Sequence, residues 1–289
     1  MSAEPLVRLG IRVRREQAEV ALAALLPILA GGAEETAPDA DAVEYAVYAP
    51  RAELPAVGEI RALVGDALID VTVSDVAPGW EQRWHEHLLP VEVASGARRL
   101  RIRPPWRPAG GETGVLEIVI DPGELFGAGT HPTTQLCLEL LLELDAAGPL
   151  CDWGAGTGVL AVTAARLGFA PVDAVDVVPE AQKAIERNAA ANGVAVRAHV
   201  ADLTGTPAPW APTVTANLTL EVLQAIAAGA LERPPERLIA SGVLAARVDE
   251  IADAFARHGL IETERRVQGE WAAVLLSQPT SSASTGDRR

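Results

Sequence analysis

The segment Cys151-Asp-Trp-Gly-Ala-Gly-Thr-Gly158 decides the fold, because it joins an apolar run to a helical pattern through a glycine-rich turn. Gly154, Gly156 and Gly158 let the main chain turn tightly and approach a ligand without a Cβ in the way. The glycines follow the spacing G-x-G-x-G, whereas the nicotinamide dinucleotide fingerprint is G-x-G-x-x-G, so that cofactor class is disfavoured. A glycine-rich structural turn is the alternative interpretation.

The sequence on both sides of this turn alternates short apolar runs with helical patterns from Val115 onward. Such alternation is typical of βαβ units around a parallel sheet. The predicted strands are 150–153, 172–177, 195–200, 214–217, 238–241, 261–266 and 271–276, and helices are predicted over 159–167 and 179–192. The predicted fold class is therefore α/β, a Rossmann-like domain with a doubly wound, mostly parallel sheet.

Three acidic residues follow or end successive strands of this unit. Asp152 precedes the first glycine and offers a carboxylate for a methionine ammonium group. Asp176 ends the second strand, where a carboxylate can accept both hydroxyls of a ribose. Asp202 follows the third strand, within reach of an adenine amino group. Each alone is more often a cap or a turn residue, but together they predict a site for S-adenosylmethionine, with S-adenosylhomocysteine as the product.

Asn217 ends the fourth strand, and its carboxamide would lie across from the sulfonium of that cofactor. A substrate amine must arrive there, so we expect the Asn217 oxygen to accept hydrogen bonds from the amine and align its lone pair. No covalent nucleophile is expected, because positioning and desolvation can supply the remaining catalysis. A helix cap is the alternative role for an Asn at a strand end.

The segment 121–134 (DPGELFGAGTHPTT) is predicted to be a loop that closes over the cofactor, since it is rich in Gly, Phe and Thr. Its last four residues open a helix that continues to Leu144. Thr133 and Thr134 can cap this helix or bond a ligand at its N-terminus. His131 is either a base or a capping, structural residue.

The first 76 residues predict a small α+β unit without catalytic residues. Strands are predicted over 6–13, 43–48 and 67–73, with helices over 16–29 and 54–64 and a fourth short strand near Glu34. This order suggests a ferredoxin-like sandwich. A recognition or packing role fits such a unit.

The segment 77–108 is predicted to be a linker. Trp80 and Trp84 are spaced one helical turn apart, so both rings can share a face. Arg99, Arg101 and Arg103 alternate with apolar residues, which places their side chains on one side of a strand. That side is either a contact for an acidic partner or a solvated face.

The composition limits the partners. A formal net charge of -15 disfavours nucleic acid as a direct partner. The acidity attracts cationic partners over long range or merely keeps the chain soluble. Two cysteines, Cys137 and Cys151, make a disulfide framework improbable and fit a reducing cytoplasm. No apolar run is long enough for a membrane span, and no His or Cys cluster suggests a metal site.

Taken together, these segments resemble the PrmA-type methyltransferases of the class I S-adenosylmethionine-dependent superfamily, which modify large-subunit ribosomal protein eleven in bacteria. The resemblance rests on the 121–134 loop, on DWGAGTG (152–158), VDVVPEA (175–181) and ANL (216–218), with supporting matches in WEQRW (80–84), PPW (104–106), SGVL (241–244) and EW (270–271). It implies that the positions of Thr134, Gly154, Asp176 and Asn217 contact the cofactor.

The resemblance also implies the domain plan: a substrate-recognition domain over 1–76, the linker over 77–108 and a methyltransferase domain over 109–278. The remaining segment, 279–289, is rich in Ser and Thr and is predicted to be a disordered tail. The expected activity is N-methylation of lysine and/or N-terminal amines of ribosomal protein eleven by a cytoplasmic monomer. A small-molecule methyltransferase and a non-catalytic cofactor-binding relative are the alternatives.

Overall fold

The chain forms two compact units, residues 1–88 and 89–289. The computed structural model describes residues 6–25, 28–29, 34–36, 39, 41–76, 88–123, 125–207, 209–231 and 233–279. The predicted pairing of Trp80 with Trp84 lies outside the described residues, as does most of the predicted tail. None of the described helices is both long and apolar enough to cross a membrane.

The first unit is a four-stranded sheet with two helices. Its elements are β1 (Leu6–Arg14), α1 (Ala18–Leu25), β2 (Glu34–Thr36), β3 (Ala42–Pro50), α2 (Val57–Val64) and β4 (Leu68–Asp75). The sheet order is β2-β3-β1-β4, and each neighbouring pair is antiparallel. The ferredoxin-like fold is predicted from the order of strands and helices along the chain. It remains our proposal for this unit.

Alternating burial along β1 explains its place in the sheet. Leu9, Ile11 and Val13 are buried on one face and pack with residues of β3 and both helices. Helix α1 is shorter than the predicted 16–29 and begins after a single 3₁₀ turn, Arg15–Gln17. Residues 26 and 27 of the predicted helix lie outside the described residues.

The second unit is built on a seven-stranded sheet. Its strands are β8 (Leu150–Trp153), β9 (Val172–Asp176), β10 (Arg197–Val200), β11 (Thr213–Asn217), β12 (Arg237–Leu244), β13 (Ile261–Gln268) and β14 (Trp271–Ser277). The order is β10-β9-β8-β11-β12-β14-β13. The five neighbouring strands β10, β9, β8, β11 and β12 are parallel to one another. Strand β14 is antiparallel to both of its neighbours, β12 and β13. The predicted α/β class is confirmed.

Helices cover both faces of this sheet. Three of them pack on one face and two on the other: α3 (Pro132–Glu143), α4 (Val159–Leu167) and α5 (Pro179–Ala191) on the first, α6 (Leu220–Ala225) and α7 (Val248–Ala256) on the second. Successive residues of β8 serve the two cores, with Leu150 in the first and Cys151 in the second. Strands buried on both faces appear in sequence as continuous apolar runs.

A smaller three-stranded sheet precedes the main one. It consists of β5 (Val91–Ser95), β6 (Arg98–Arg103) and β7 (Val115–Val119). Two of these strands fall within the range predicted as a linker, and they belong to the second compact unit. Arg99 of β6 forms ion pairs with Glu92 and Glu112. Arg103 pairs with Glu117 at 2.7 Å. Two of the three alternating arginines therefore have acidic partners within the chain.

Candidate functional site

The candidate site lies at the carboxyl ends of β8 and β11. These strands are neighbours, yet the chain continues from β8 to β9 on one side and from β11 to β12 on the other. This is a topological switch point, where open α/β sheets bind their ligands. The residues predicted at strand ends therefore meet at one edge of the sheet.

The residues 154–158, called the glycine turn below, connect β8 to α4. The main-chain N–H groups of Gly154 and Ala155 donate to the carbonyl of Val175, at 2.8 and 3.0 Å. Gly154 and Gly156 have φ values of 73° and 53°, in the left-handed region that favours glycine. A Cβ at Gly156 would also collide with the carbonyl oxygen of Phe126 in the 121–134 loop. The turn thus requires glycine for conformation and for close approach.

Asp152 is placed inside the protein, and its side chain is 1% exposed. One carboxylate oxygen accepts a hydrogen bond from the Thr215 hydroxyl of β11 at 2.6 Å. The other accepts from the main-chain N–H of Ala161, in the first turn of α4, at 3.2 Å. Asp152 therefore ties β8 to β11 and to α4. Its predicted role toward a methionine ammonium group stays a prediction.

Burial raises the pKa of Asp152 to about 7, and the negative charge of Asp176 adds to the shift. The hydrogen bonds from Thr215 and Ala161 act in the opposite direction, because they stabilise the ionised form. Desolvation is the larger effect. The carboxyl group therefore exchanges its proton near neutral pH.

Asp176 lies at the end of β9 with both oxygens engaged by main-chain donors. One accepts from the N–H of Gly156 at 2.8 Å, and the other from the N–H of Val178 at 2.9 Å. The carboxylate thus holds the glycine turn from the neighbouring strand. An ionised carboxylate has about four acceptor positions, so two N–H donors leave room for hydroxyl donors as well.

Asp202 follows β10 and is exposed. One of its oxygens accepts from both the main-chain N–H and the hydroxyl of Thr204, at 2.9 and 2.7 Å. These two hydrogen bonds lower the pKa of Asp202. The side chain organises its own turn, and its proposed reach to an adenine amino group stays a prediction.

The structure brings Asn217 and Thr134 into contact. The Asn217 amide nitrogen lies 3.2 Å from the Thr134 hydroxyl oxygen, which joins the end of β11 to the first turn of α3. Thr134 is buried, whereas Asn217 is partly accessible. Leu218, the next residue, donates its N–H to the Ser241 carbonyl at 3.0 Å. Two residues predicted from segments far apart in the sequence therefore form one arrangement.

The 121–134 loop lies against the glycine turn. Thr157 donates its main-chain N–H to the carbonyl of Phe126 at 3.0 Å and its hydroxyl to the carbonyl of Gly127 at 2.8 Å. The Phe126 side chain is 48% exposed at this edge. The sequence analysis did not single out Thr157, although its position between two predicted glycines was a signal.

His131 is the N-cap of α3. Its Nδ1 accepts from the main-chain N–H of Thr133 at 3.3 Å and lies 2.7 Å from the Thr133 hydroxyl. The ring packs edge-on to Phe126 and Trp271, with ring centroids 5.3 and 4.9 Å away. Burial lowers the pKa of His131 to about 4, so the imidazole is neutral at pH 7. Of the two roles left open, the structure supports capping.

Asn188 is a second residue that the sequence analysis missed. It lies on the buried face of α5, which also carries Ala181, Ala184 and Ile185. A polar residue on the buried face of a helix must find hydrogen-bond partners, and this requirement was the signal in the sequence that could have identified Asn188.

Among the described residues, no group of three or more His, Cys, Asp or Glu side chains is arranged to hold a metal ion.

Comparison with known proteins identifies the family of this chain. The sequence profile described as "Ribosomal protein L11 methyltransferase (PrmA)" matches residues 45–279. The chain belongs to this methyltransferase family. The PrmA resemblance inferred from the 121–134 loop and the glycine turn is thereby confirmed.

Individual members of the family support this assignment. The ribosomal protein L11 methyltransferase of Geobacter metallireducens is 38% identical over 198 residues, which are 68% of this chain and 65% of that protein. That of Pelotomaculum thermopropionicum is 39% identical over 220 residues, 74% of this chain and 70% of the relative. The match thus spans slightly less than two thirds of the first relative's length.

A solved structure has the same fold. The ribosomal protein L11 methylase of Lactobacillus delbrueckii subsp. bulgaricus superposes with a TM-score of 0.56 and 26% sequence identity. The superposition covers 65% of this chain and 98% of the other.

The raised pKa of Asp152 predicts a pH-dependent stability. Between pH 4 and 7 the folded protein keeps a proton that the unfolded chain, with a pKa near 3.9, releases, so the free energy of unfolding falls as the pH rises. Asp152→Asn removes this titration, and its amide can still pair with Ala161 and Thr215. We expect its stability relative to wild type to rise from pH 5 to 8 by about 2.6 kcal/mol, which is roughly two pKa units at 1.36 kcal/mol each.

Urea denaturation followed by circular dichroism measures this difference at each pH. Asp202→Asn is the matched control, because a lowered pKa alters stability only at more acidic pH. A constant difference between Asp152→Asn and wild type from pH 5 to 8 would contradict the assignment.

Proposed function

We propose that this chain is an S-adenosylmethionine-dependent protein N-methyltransferase that acts on lysine and/or N-terminal amines of ribosomal protein L11. The observation that carries the proposal is the contact between Asn217 and Thr134 beside the glycine turn, in a chain of this family. This contact holds the Asn217 amide at the carboxyl edge of the sheet. The reactive end of a cofactor bound to the glycine turn would lie at the same edge.

The residues at the carboxyl edge fit this cofactor. Asp176 retains acceptor capacity toward ribose hydroxyls after binding Gly156 and Val178. Val177, directly after it, is 61% exposed and offers an apolar surface to the adenine ring. Asp202, at the end of the next strand, supplies an acceptor for the adenine amino group. The Asp152 carboxyl exchanges its proton near neutral pH, and its ionised form contributes negative charge that favours a cationic methionine ammonium group.

S-Adenosylmethionine, when bound, would supply an electrophilic methyl group on its sulfonium. The chain must then present a neutral amine to it. Deprotonating a lysine with a pKa near 10.4 costs about 4.6 kcal/mol at pH 7, whereas an N-terminal amine near 7.7 to 8.0 costs about 1 kcal/mol. Stabilising the neutral amine is therefore the main demand on the protein when lysine is the substrate.

Asn217 meets this demand as the positioning acceptor. Its amide nitrogen is engaged with the Thr134 hydroxyl, so its oxygen is the group available to accept from the amine N–H. Accepting from the N–H orients the nitrogen lone pair without protonating it. His131 does not act as the base in this scheme, because its Nδ1 already accepts from Thr133.

The partner follows from charge and family. A chain with a net charge of -15 attracts cationic, lysine-bearing proteins at modest salt. We propose that the small unit, predicted over 1–76, recognises the ribosomal protein and that a cytoplasmic monomer performs the reaction without direct nucleic-acid contact. The names of the relatives match this choice of substrate.

The proposal predicts methylation of purified ribosomal protein L11. With labelled S-adenosylmethionine, intact-mass analysis should detect mass gains in steps of one methyl group, and peptide mapping should place them on lysine or N-terminal amines. No mass gain together with demonstrated cofactor binding would contradict the choice of substrate and favour a small-molecule substrate or a non-catalytic relative. Absence of cofactor binding would contradict the activity itself.

Asn217→Ala should lower the turnover number about 100-fold, a typical cost of removing one well-placed hydrogen-bonding group from an active site. The fold should persist, because Asn217 is partly accessible and its contact with Thr134 is a single neutral hydrogen bond. Steady-state kinetics with L11 and a thermal melt measure the two effects. Near-normal turnover in a folded variant would refute the role of Asn217.

Gly156→Ala tests the contact between the glycine turn and the 121–134 loop. Gly156 and Gly148 both have positive φ, 53° and 71°, but a Cβ at Gly148 meets no atom within 4 Å. Backbone strain should cost each variant about 1–2 kcal/mol of stability, and the collision with the Phe126 carbonyl should add to the loss in Gly156→Ala. We expect Gly156→Ala alone to lose affinity for S-adenosylmethionine, measured by calorimetry, because it must displace the Phe126 carbonyl. Equal affinity in the two variants would contradict this.

A further inference from the structure

Asn188 is an unusual residue for the interior of a helix. It lies in the C-terminal half of α5 and is 1% exposed. Burying a primary amide is unfavourable unless its donors and acceptor are paired. The partners of Asn188 therefore identify what the residue is for.

Its hydrogen bonds reach two segments of the candidate site. The Asn188 oxygen accepts from the main-chain N–H of Asp121 at 2.9 Å, and its amide nitrogen donates to the Asp121 carbonyl at 3.1 Å. The same nitrogen donates to the carbonyl of Thr157 in the glycine turn at 2.9 Å. One side chain thus pairs both main-chain groups of the first loop residue, as a neighbouring strand would, and also holds the glycine turn.

Thr157 completes a closed set of contacts. Its N–H and hydroxyl hold Phe126 and Gly127, five and six residues further along the loop. Its carbonyl receives the hydrogen bond from Asn188. The beginning of the loop is therefore fixed to the glycine turn through Asn188, and its middle is fixed directly by Thr157.

We propose that Asn188 is a positioning residue that couples the 121–134 loop to the glycine turn and thereby sets the affinity for S-adenosylmethionine. This inference rests on the proposed function and deepens it. The loop ends in Thr134, which contacts Asn217, whereas the glycine turn is held by Asp176. A cofactor that spans both sides binds tightly when their relative position is set beforehand.

Asn192, the C-cap residue directly after α5, provides a matched control. Its oxygen accepts from the N–H of Val119 at 2.8 Å, and its nitrogen donates to the Val119 carbonyl at 2.6 Å and to the Asn188 carbonyl at 2.7 Å. Asn192 thus pairs with both main-chain groups of Val119, just as Asn188 pairs with those of Asp121, two residues further along the chain. Within the described residues, its hydrogen bonds do not extend to the glycine turn.

The experiment compares Asn188→Ala with Asn192→Ala in the full chain. We expect Asn188→Ala to raise the Kd for S-adenosylmethionine about tenfold, as expected for the loss of net hydrogen bonding at a coupled site, with little change in KM for L11. Asn192→Ala should lower the melting temperature similarly but keep the Kd within about twofold. Titration calorimetry and thermal melts measure both quantities.

Two results would overturn the inference: wild-type affinity in folded Asn188→Ala, or equal loss of affinity in both variants. If wild type itself fails to bind S-adenosylmethionine, the proposed function fails instead. If Asn188→Ala does not fold, hydrogen exchange of main-chain amides in the wild-type protein tests the inference instead. The cofactor should slow exchange of the Asp121 and Thr157 amides together, and an unchanged Asp121 amide would contradict the coupling.

Discussion

The candidate site depends on the burial of one carboxylate. Asp152 has its oxygens paired with Thr215 of β11 and with the main-chain N–H of Ala161 in α4. A buried carboxylate without such donors would be severely destabilising, so β8, β11 and α4 are held in one relative position. The glycine turn lies between Asp152 and α4, and its path is consequently determined by the same interaction.

The 121–134 loop shows the same dependence on polar pairing. A segment so rich in glycine has little regular structure of its own, and its main-chain groups need partners wherever water is excluded. Thr157 and Asn188 supply those partners from the glycine turn and from α5. A loop without repeating hydrogen bonds thus acquires a defined register against the switch point of the sheet.

The sequence predicted each strand of the main sheet to within a few residues. Strands buried on both faces, such as β12 and β14, leave continuous apolar runs, whereas β10 and β13 are largely exposed and leave no such run. The prediction from sequence began α1 two residues early, at 16 instead of Ala18, because the apolar pattern does not distinguish the 3₁₀ turn Arg15–Gln17 from an α-helical turn. It also described 77–108 as a linker, although β5 and β6 lie within that range. The alternation of Arg99 with apolar neighbours indicated a strand, but nothing local could identify the strands that pair with it.

By itself, the sequence determined the fold class, the glycine turn and the set of polar residues at strand ends, because these follow from local periodicity and from the rule that parallel strands end at one edge. Only the tertiary structure decided what each side chain does there. Asp152 and Thr215 are 63 residues apart, and Asn188 and Asp121 are 67 apart. Which of two plausible roles His131 takes depends likewise on burial against Phe126 and Trp271, and burial is a property of the packed chain rather than of any segment.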